Sequence, residues 1–375
     1  MSAIGDFPLK RFFSEGPAAA ARANLSPSFA EPLPLAELLA CEPDAAERLA
    51  RLSLAYPGIH GGRELRTAIA GRYARLQPEH VIVTCGGDDA LASLFLALVR
   101  PGDHVIVHTP HYGPLASLAA WRGGDVTPWQ ADEGAGWRPD LDDLARLRRP
   151  ATRLIVTSFP HSPTGFVPDH GYLARLIALA DDAGAILVGD EIYRGLPLTD
   201  AGEPPSLADR SARAVVLNST SKTLGLPGLR VGWLATRDAT VLAAVGELRL
   251  HFNSFVGAPS EFLAALALRH AARLLARNRA LARANLAHLR DFLGRHAALF
   301  AWQPPRGGVV AYPRWLGAGA TSALSARLLR EHGLLLAPSA YFAGGERHVR
   351  LGFGTAATPA NLALLAEALG PGGRR

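Results

Sequence analysis

One run of fourteen residues holds the strongest chemical signal in the chain: Ser219-Thr220-Ser221-Lys222-Thr223-Leu224-Gly225-Leu226-Pro227-Gly228-Leu229-Arg230-Val231-Gly232. Two serines and a lysine follow directly on the apolar run Ala214-Val215-Val216-Leu217, and an arginine comes eight residues after the lysine. A lysine at a strand's C-terminal end, where open α/β sheets bind ligands, can lose solvent and drop its pKa, which suits Schiff-base chemistry. The serines and Arg230 offer hydroxyl and bidentate contacts to a phosphate. Ser-Lys alone reads as a solvated loop; the full S-x-S-K-x7-R-x-G pattern reverses that preference.

Other residues are chemically suggestive but weaker by themselves. Gly86-Gly87-Asp88-Asp89-Ala90 lies between a strand and a helix start, where free N–H groups and the helix dipole attract phosphate, although glycines also make ordinary βα turns. Asp190-Glu191-Ile192-Tyr193 follows the apolar run Ala185 to Val188, and an isolated carboxylate there would be read as solvated or capping. Tyr112 has a credible reading as a core tyrosine. Arg350 sits between Val349 and Leu351, which suggests a buried strand and not a surface arginine. His104, His108 and His111 straddle a strand and a loop without HExxH spacing or a carboxylate partner, so no metal is expected. Neither a Gly-x-Ser-x-Gly elbow nor a GxxxxGK[ST] loop is present.

Taken in order, these segments resemble the fold-type I pyridoxal-5′-phosphate (PLP) enzymes of the class I/II aminotransferase family over nearly the whole chain. The resemblance implies a large domain with a mostly parallel seven-stranded sheet, a smaller α+β domain, and a homodimer. It implies that Lys222 forms the internal aldimine, that Asp190 pairs with the pyridinium nitrogen, and that Tyr193 hydrogen-bonds O3′. An anion at that nitrogen keeps the ring protonated, and a protonated ring is an electron sink. The backbone of Gly87 and Asp88 would hold the phosphate with Ser219, Ser221 and Arg230, and Tyr112 would stack on the ring. The acidic side chain of Asp88 must then point away from the phosphate or cap the helix. Tyr56, in Tyr56-Pro57-Gly58, matches the tyrosine that reaches a neighbouring subunit's phosphate, and Arg350 matches the clamp on the substrate α-carboxylate.

Phe159-Pro160-His161-Ser162-Pro163-Thr164-Gly165 departs from the family's N-P-x-N-P-T-G loop at both asparagines. Ser162 takes the place of the Asn that donates to O3′, and a serine hydroxyl is shorter. Segments 139–144, 225–230 and 305–309 resemble more narrowly the subgroup containing capreomycidine synthase, and Arg306 or His161 could face a substrate side chain. The expected activity is transfer of an amino group between an amino acid and a 2-oxo acid. The alternative is a PLP-dependent lyase or cyclase acting on a hydroxyarginine-like amino acid. A PLP-sensing regulator would need a helix-turn-helix ahead of residue 40, and none is expected.

The elements that must position these residues repeat one grammar, a short apolar run, a turn, then an amphipathic stretch. Candidate strands are 81–84, 104–107, 154–157, 185–188, 214–217 and 231–234, with helices at 90–99, 115–121 and 172–182 between them. Continuous apolar strands separated by helices predict a parallel sheet covered on both faces, hence an α/β domain, over residues 41–250. Leucines at helical spacing predict long helices over 260–300, then strands at 309–312, 334–336 and 349–353 and a helix at 359–369. Residues 1–40 and 251–375 form the expected second domain, with the Pro-rich 27–34 packing on it instead of on the first.

At 375 residues the chain exceeds a single small module, and 49% hydrophobic with 19% charged residues excludes disorder or a coiled coil. The charge of +6 is spread out, which suits a phosphorylated ligand without implying nucleic acid. Cys41 and Cys85 have neither metal nor disulfide spacing. No apolar run approaches a membrane span and Met1 to Lys10 lacks a signal-peptide core, so a cytoplasmic protein with no membrane partner is expected.

Overall fold

The computed structural model describes residues 8–14 and 21–370. A short strand β1 (Ala23–Asn24) pairs parallel with Leu334–Leu335. The main sheet contains β2 (Val81–Thr84), β3 (His104–Thr109), β4 (Asp125–Asp132), β5 (Arg138–Pro139), β6 (Thr152–Ser158), β7 (Ile186–Asp190), β8 (Val215–Ser219) and β9 (Gly232–Thr236). Their order is β2-β9-β8-β7-β6-β3-β4-β5. Strands β4, β3, β6, β7 and β8 run parallel, while β9 is antiparallel to both its neighbours and β5 to β4.

Alternate residues of the buried strands feed two cores. Val83, Ile106, Ile155, Leu187 and Val216 face one, and Ile82, Val105, Val107, Leu154, Val156, Val188 and Leu217 face the other. Each such side chain stabilises the fold by roughly 1.5–3 kcal/mol on burial, which is why these strands are apolar without alternation. Helices Gly87–Leu98, Pro114–Trp121 and His170–Asp182 supply the covering layers where helical periodicity places them.

Beyond the sheet, the helical stretch expected over 260–300 is two helices, Ala258–Arg269 and Ala271–Arg295, broken at His270 where φ is −102° and ψ 18°. Val310–Ala311, Val349–Gly352 and Ala337–Pro338 form a three-stranded sheet, and Thr358–Leu369 closes the chain. Strand β4 has no counterpart in the sequence reading. Pro128 interrupts its ladder of donors and its exposed residues obscure the pattern.

The Pro-rich segment bonds to both parts of the molecule, not to the second alone. Ala30 N donates to Lys222 O at 2.8 Å and Leu33 N to Gly225 O at 3.0 Å, on the sheet side. On the other side Glu31 N donates to Gly354 O at 2.8 Å, and Gly352 N to Leu25 O at 2.6 Å. Paired backbone on either flank makes residues 25–33 a strap joining the two halves, because extended backbone must satisfy its donors wherever it is buried.

Candidate active site

The parallel strands end on one edge of the sheet, and their last residues and following turns face a common cavity of about 420 Å³. Asp190 is the last residue of β7 and Ser219 the last of β8, with Ser221 and Lys222 in the turn beyond. Gly87 and Asp88 open a helix after β2, Tyr112 follows β3, and Ser162 follows β6. Arg230 precedes β9, and Arg350 arrives from the smaller sheet. All of these expected residues line the cavity.

Tyr56 does not. It is 84% exposed and stacks on Phe255, with ring centroids 4.7 Å apart. Of the two side chains proposed to face a substrate, Arg306 is exposed and His161 is buried away from the cavity. His161 Nδ1 pairs with Thr164 Oγ1 at 2.7 Å and Nε2 with Pro110 O at 2.9 Å, so it braces two loops instead. Phe159, in the other substituted position, joins an aromatic cluster with His108, Phe166 and Tyr172. His104 bridges Thr152 and Thr127, and among the described residues no group of His, Cys, Asp and Glu is arranged to hold a metal.

The turn after β2 is shaped to present backbone donors. Gly86 has φ of +91°, and a Cβ there would lie 2.6 Å from Arg230 Nη2, so only glycine lets the guanidinium approach. Gly232 is equally constrained, since its Cβ would fall 2.4 Å from Gly86 C. The first N–H groups of helix Gly87–Leu98 lack intrahelical acceptors by geometry. Arg230 lies beside them, an arrangement whose chemistry suits an anion, as helix N-termini do. Asp88 does not cap this helix. Its carboxylate accepts from Tyr112 Oη at 2.9 Å and pairs with Lys10 at 2.5 Å, while Asp89 Oδ2 accepts from Cys85 N at 2.7 Å.

Burial sets the electrostatics. The Lys222 ammonium is desolvated and lies near Arg350, which together bring its pKa down to about 8 although Asp88 and Asp190 oppose the shift. Desolvation also raises Asp190 to about 7, against the N–H of Ile192 and the charge of Lys222. A buried carboxylate held in this way is poised to ionise fully once a cation is set beside it. The Tyr193 phenol is raised to about 12 by burial, with the nearby Ser162 hydroxyl opposing the shift, and donates to Ser28 O at 2.9 Å. Arg350 is held by Ser26 O at 2.8 Å from Nη2, with its guanidinium 4.7 Å above the Phe342 ring.

Sequence reasoning missed one wall. Leu9, Lys10, Asn24, Ser26, Ser28 and Phe29 also line the cavity, and Ser28 Oγ accepts from Lys222 Nζ at 2.8 Å. The proline content of this segment was visible, but no motif tied it to a lysine 194 positions away.

The residues present fit PLP: a reactive amine, a buried carboxylate for a ring nitrogen, hydroxyls for a phenolic oxygen, and a helix terminus with an arginine for a phosphate. Comparisons with known proteins agree. Residues 27–369 match the profile of the family described as aminotransferase class I and II. Capreomycidine synthase of Streptomyces vinaceus is 34% identical over 297 residues, 78% of this chain and 75% of that one. A PLP-dependent aminotransferase from Streptococcus suis superposes with a TM-score of 0.92 at 30% identity, over 98% of each chain. The PLP-dependent cyclase OrfR superposes with a TM-score of 0.89 at 32% identity, again over 98% of each chain.

Proposed function

We infer the function from one premise: this chain belongs to the class I and II aminotransferase family, and is a PLP-dependent enzyme of fold type I. It transfers an amino group between an amino acid and a 2-oxo acid. The observation that carries the assignment of its parts is the convergence of the Lys222 amine, the Asp190 carboxylate and the Arg350 guanidinium on one cavity.

When bound, PLP supplies an aldehyde for the amines of lysine and substrate and a protonated ring that draws electrons from the substrate Cα. In our reading Lys222 Nζ is the amine that would hold that aldehyde. Gly87 and Asp88 N–H, Ser219, Ser221 and Arg230 would hold the phosphate. Asp190 would hold the ring nitrogen, Tyr193 and Ser162 the phenolic oxygen, and Tyr112 would face the ring. Arg350 receives the α-carboxylate through two parallel hydrogen bonds, which fixes how Cα presents its hydrogen. Lys222, its ammonium disfavoured by burial, then takes the proton from Cα and returns it as general base and acid.

We further propose a homodimer. Leu54 and Tyr56 are 80% and 84% exposed and Phe252 is 71% exposed, a density of bare apolar side chains that a second copy would cover. Tyr56 would then reach the partner's phosphate site. Cys41 and Cys85 are unbonded thiols, in keeping with a reducing compartment, and the cytoplasm is the proposed location. Among the described residues no helix is long and apolar enough to cross a membrane.

A cyclase or lyase reading is favoured by one feature of this site: Ser162, not Asn, accompanies Tyr193. Both chemistries begin with the same proton removal, and they part at the product. Borohydride reduction of the PLP-loaded protein followed by peptide mapping should place the adduct on Lys222; an adduct elsewhere, or none, would overturn the assignment. Single-turnover analysis should then yield pyridoxamine phosphate and a keto acid. Intact PLP with an eliminated or cyclised product would instead establish the second reading.

A further inference from the structure

Ser28 lies on the strap between the two halves, and both of its polar ends engage the site. Its hydroxyl accepts from Lys222 Nζ at 2.8 Å, and its carbonyl accepts from Tyr193 Oη at 2.9 Å. Two residues along, Ala30 N donates to the carbonyl of Lys222 itself at 2.8 Å. The strap thus grips Lys222 at its backbone and at its amine. It is anchored in turn to the Arg350 strand through Ser26 O and through Leu25 O, which accepts from Gly352 N at 2.6 Å.

Whenever Lys222 moves a proton it must be a free amine, and a primary amine on four rotatable bonds has no preferred direction for its lone pair. An N–H donated to a fixed acceptor removes that freedom, and leaves the lone pair to point away from Ser28 into the cavity. When Nζ has taken a proton, the same oxygen accepts from the ammonium and lowers the cost of charging a buried group. The serine keeps its own proton throughout; the hydrogen leaves Cα, rides on Nζ, and is returned by Nζ.

We propose that Ser28 is a further catalytic residue, whose hydroxyl orients the Lys222 amine and stabilises its protonated form during transfer. The proposal rests on Lys222 being the amine that carries the reaction. Its place on the strap also makes it report the relation between the two halves, since a displacement of the strap would release Nζ.

The test compares Ser28→Ala with Ser28→Thr, which restores the hydroxyl. The first readout, on the cofactor-free protein, is the pH profile of Lys222 acylation followed by mass mapping. Ser28→Ala should move the midpoint to lower pH, because the ammonium loses an acceptor, and Ser28→Thr should move it back. The second, on the loaded enzyme, is the single-turnover rate of Cα proton removal. It should fall about tenfold or more in Ser28→Ala with cofactor affinity unchanged, and the isotope effect of an α-deuterated substrate should increase. A rate within twofold of the original together with an unmoved acylation profile would overturn the proposal. So would a loss shared equally by Ala and Thr, which would mark a packing role. If Ser28→Ala fails to fold, Ser28→Cys, of similar volume and poor hydrogen-bonding power, decides by the same two readouts. Borohydride trapping separates the failures: no adduct on Lys222 ends the parent reading, whereas an adduct there with silent Ser28 variants ends this proposal alone.

Discussion

Arg249 Nη1 lies 2.8 Å from Asp89 Oδ2, in an ion pair whose guanidinium is only 1% exposed. The same carboxylate oxygen accepts from Cys85 N at 2.7 Å, in the turn that leads to Gly87. A buried charge therefore fixes the group that fixes the proposed phosphate site. Replacing Arg249 by Met leaves Asp89 without its counter-charge, and removing one member of a buried pair costs about 3–5 kcal/mol. Arg249→Met should lower the denaturation midpoint in urea and weaken PLP binding in a fluorescence titration. A variant of unaltered stability and affinity would refute the linkage.

Lys222 provides a pH signature. Its folded pKa of about 8 lies below the ordinary 10.5, so the unfolded chain holds a proton that the folded one releases over that interval. Cofactor-free protein should accordingly gain stability as pH rises from 8 to 10.5. Lys222→Met, which removes the buried charge, should abolish this rise, and at neutral pH it should be more stable by about 3 kcal/mol. Urea melts across the pH range give the comparison.

Ser162 lines the cavity near the Tyr193 phenol, at the position where the family's loop carries an amide. Ser162→Asn offers a longer donor to the same region. It should shift the pH titration of the visible absorbance of the PLP-loaded enzyme. An unmoved titration would mean that position 162 does not touch the phenolic oxygen.

Acid stability has a separate source. Glu42 receives Arg269 through two hydrogen bonds, at 2.9 and 3.1 Å, which with His270 and Arg48 hold its pKa near 2 against the usual 4.5. That contribution is complete above 4.5 and disappears as pH falls through 2. Glu42→Gln should be less stable than the parent at pH 7, and the difference should shrink across this interval in chemical melts.

Covering the exposed apolar strip should make the protein dimeric in light scattering. Tyr56→Phe should then weaken PLP binding without dissociating the dimer, because it removes a hydroxyl and keeps the ring stacked on Phe255. Monomeric protein with full PLP affinity would contradict the shared site.

The sequence by itself determined the α/β sheet and the turns that carry Lys222, Asp190 and Gly87. Those depend on apolar runs, helical spacing and local motifs, each confined to a few consecutive residues. It could not show β4, whose Pro128 and solvent-facing residues break the pattern of a buried strand. Nor could it show the break at His270 inside an unbroken helical periodicity. Tertiary structure alone decided that Asp88 faces Tyr112 while Asp89 serves the turn, and that His161 braces a loop instead of meeting a substrate. It alone brought Ser28 to Lys222 across 194 residues. A strap's partners are chosen by which backbone donors and acceptors remain unpaired once the sheet and its covering helices have assembled, and that remainder is a property of the whole fold.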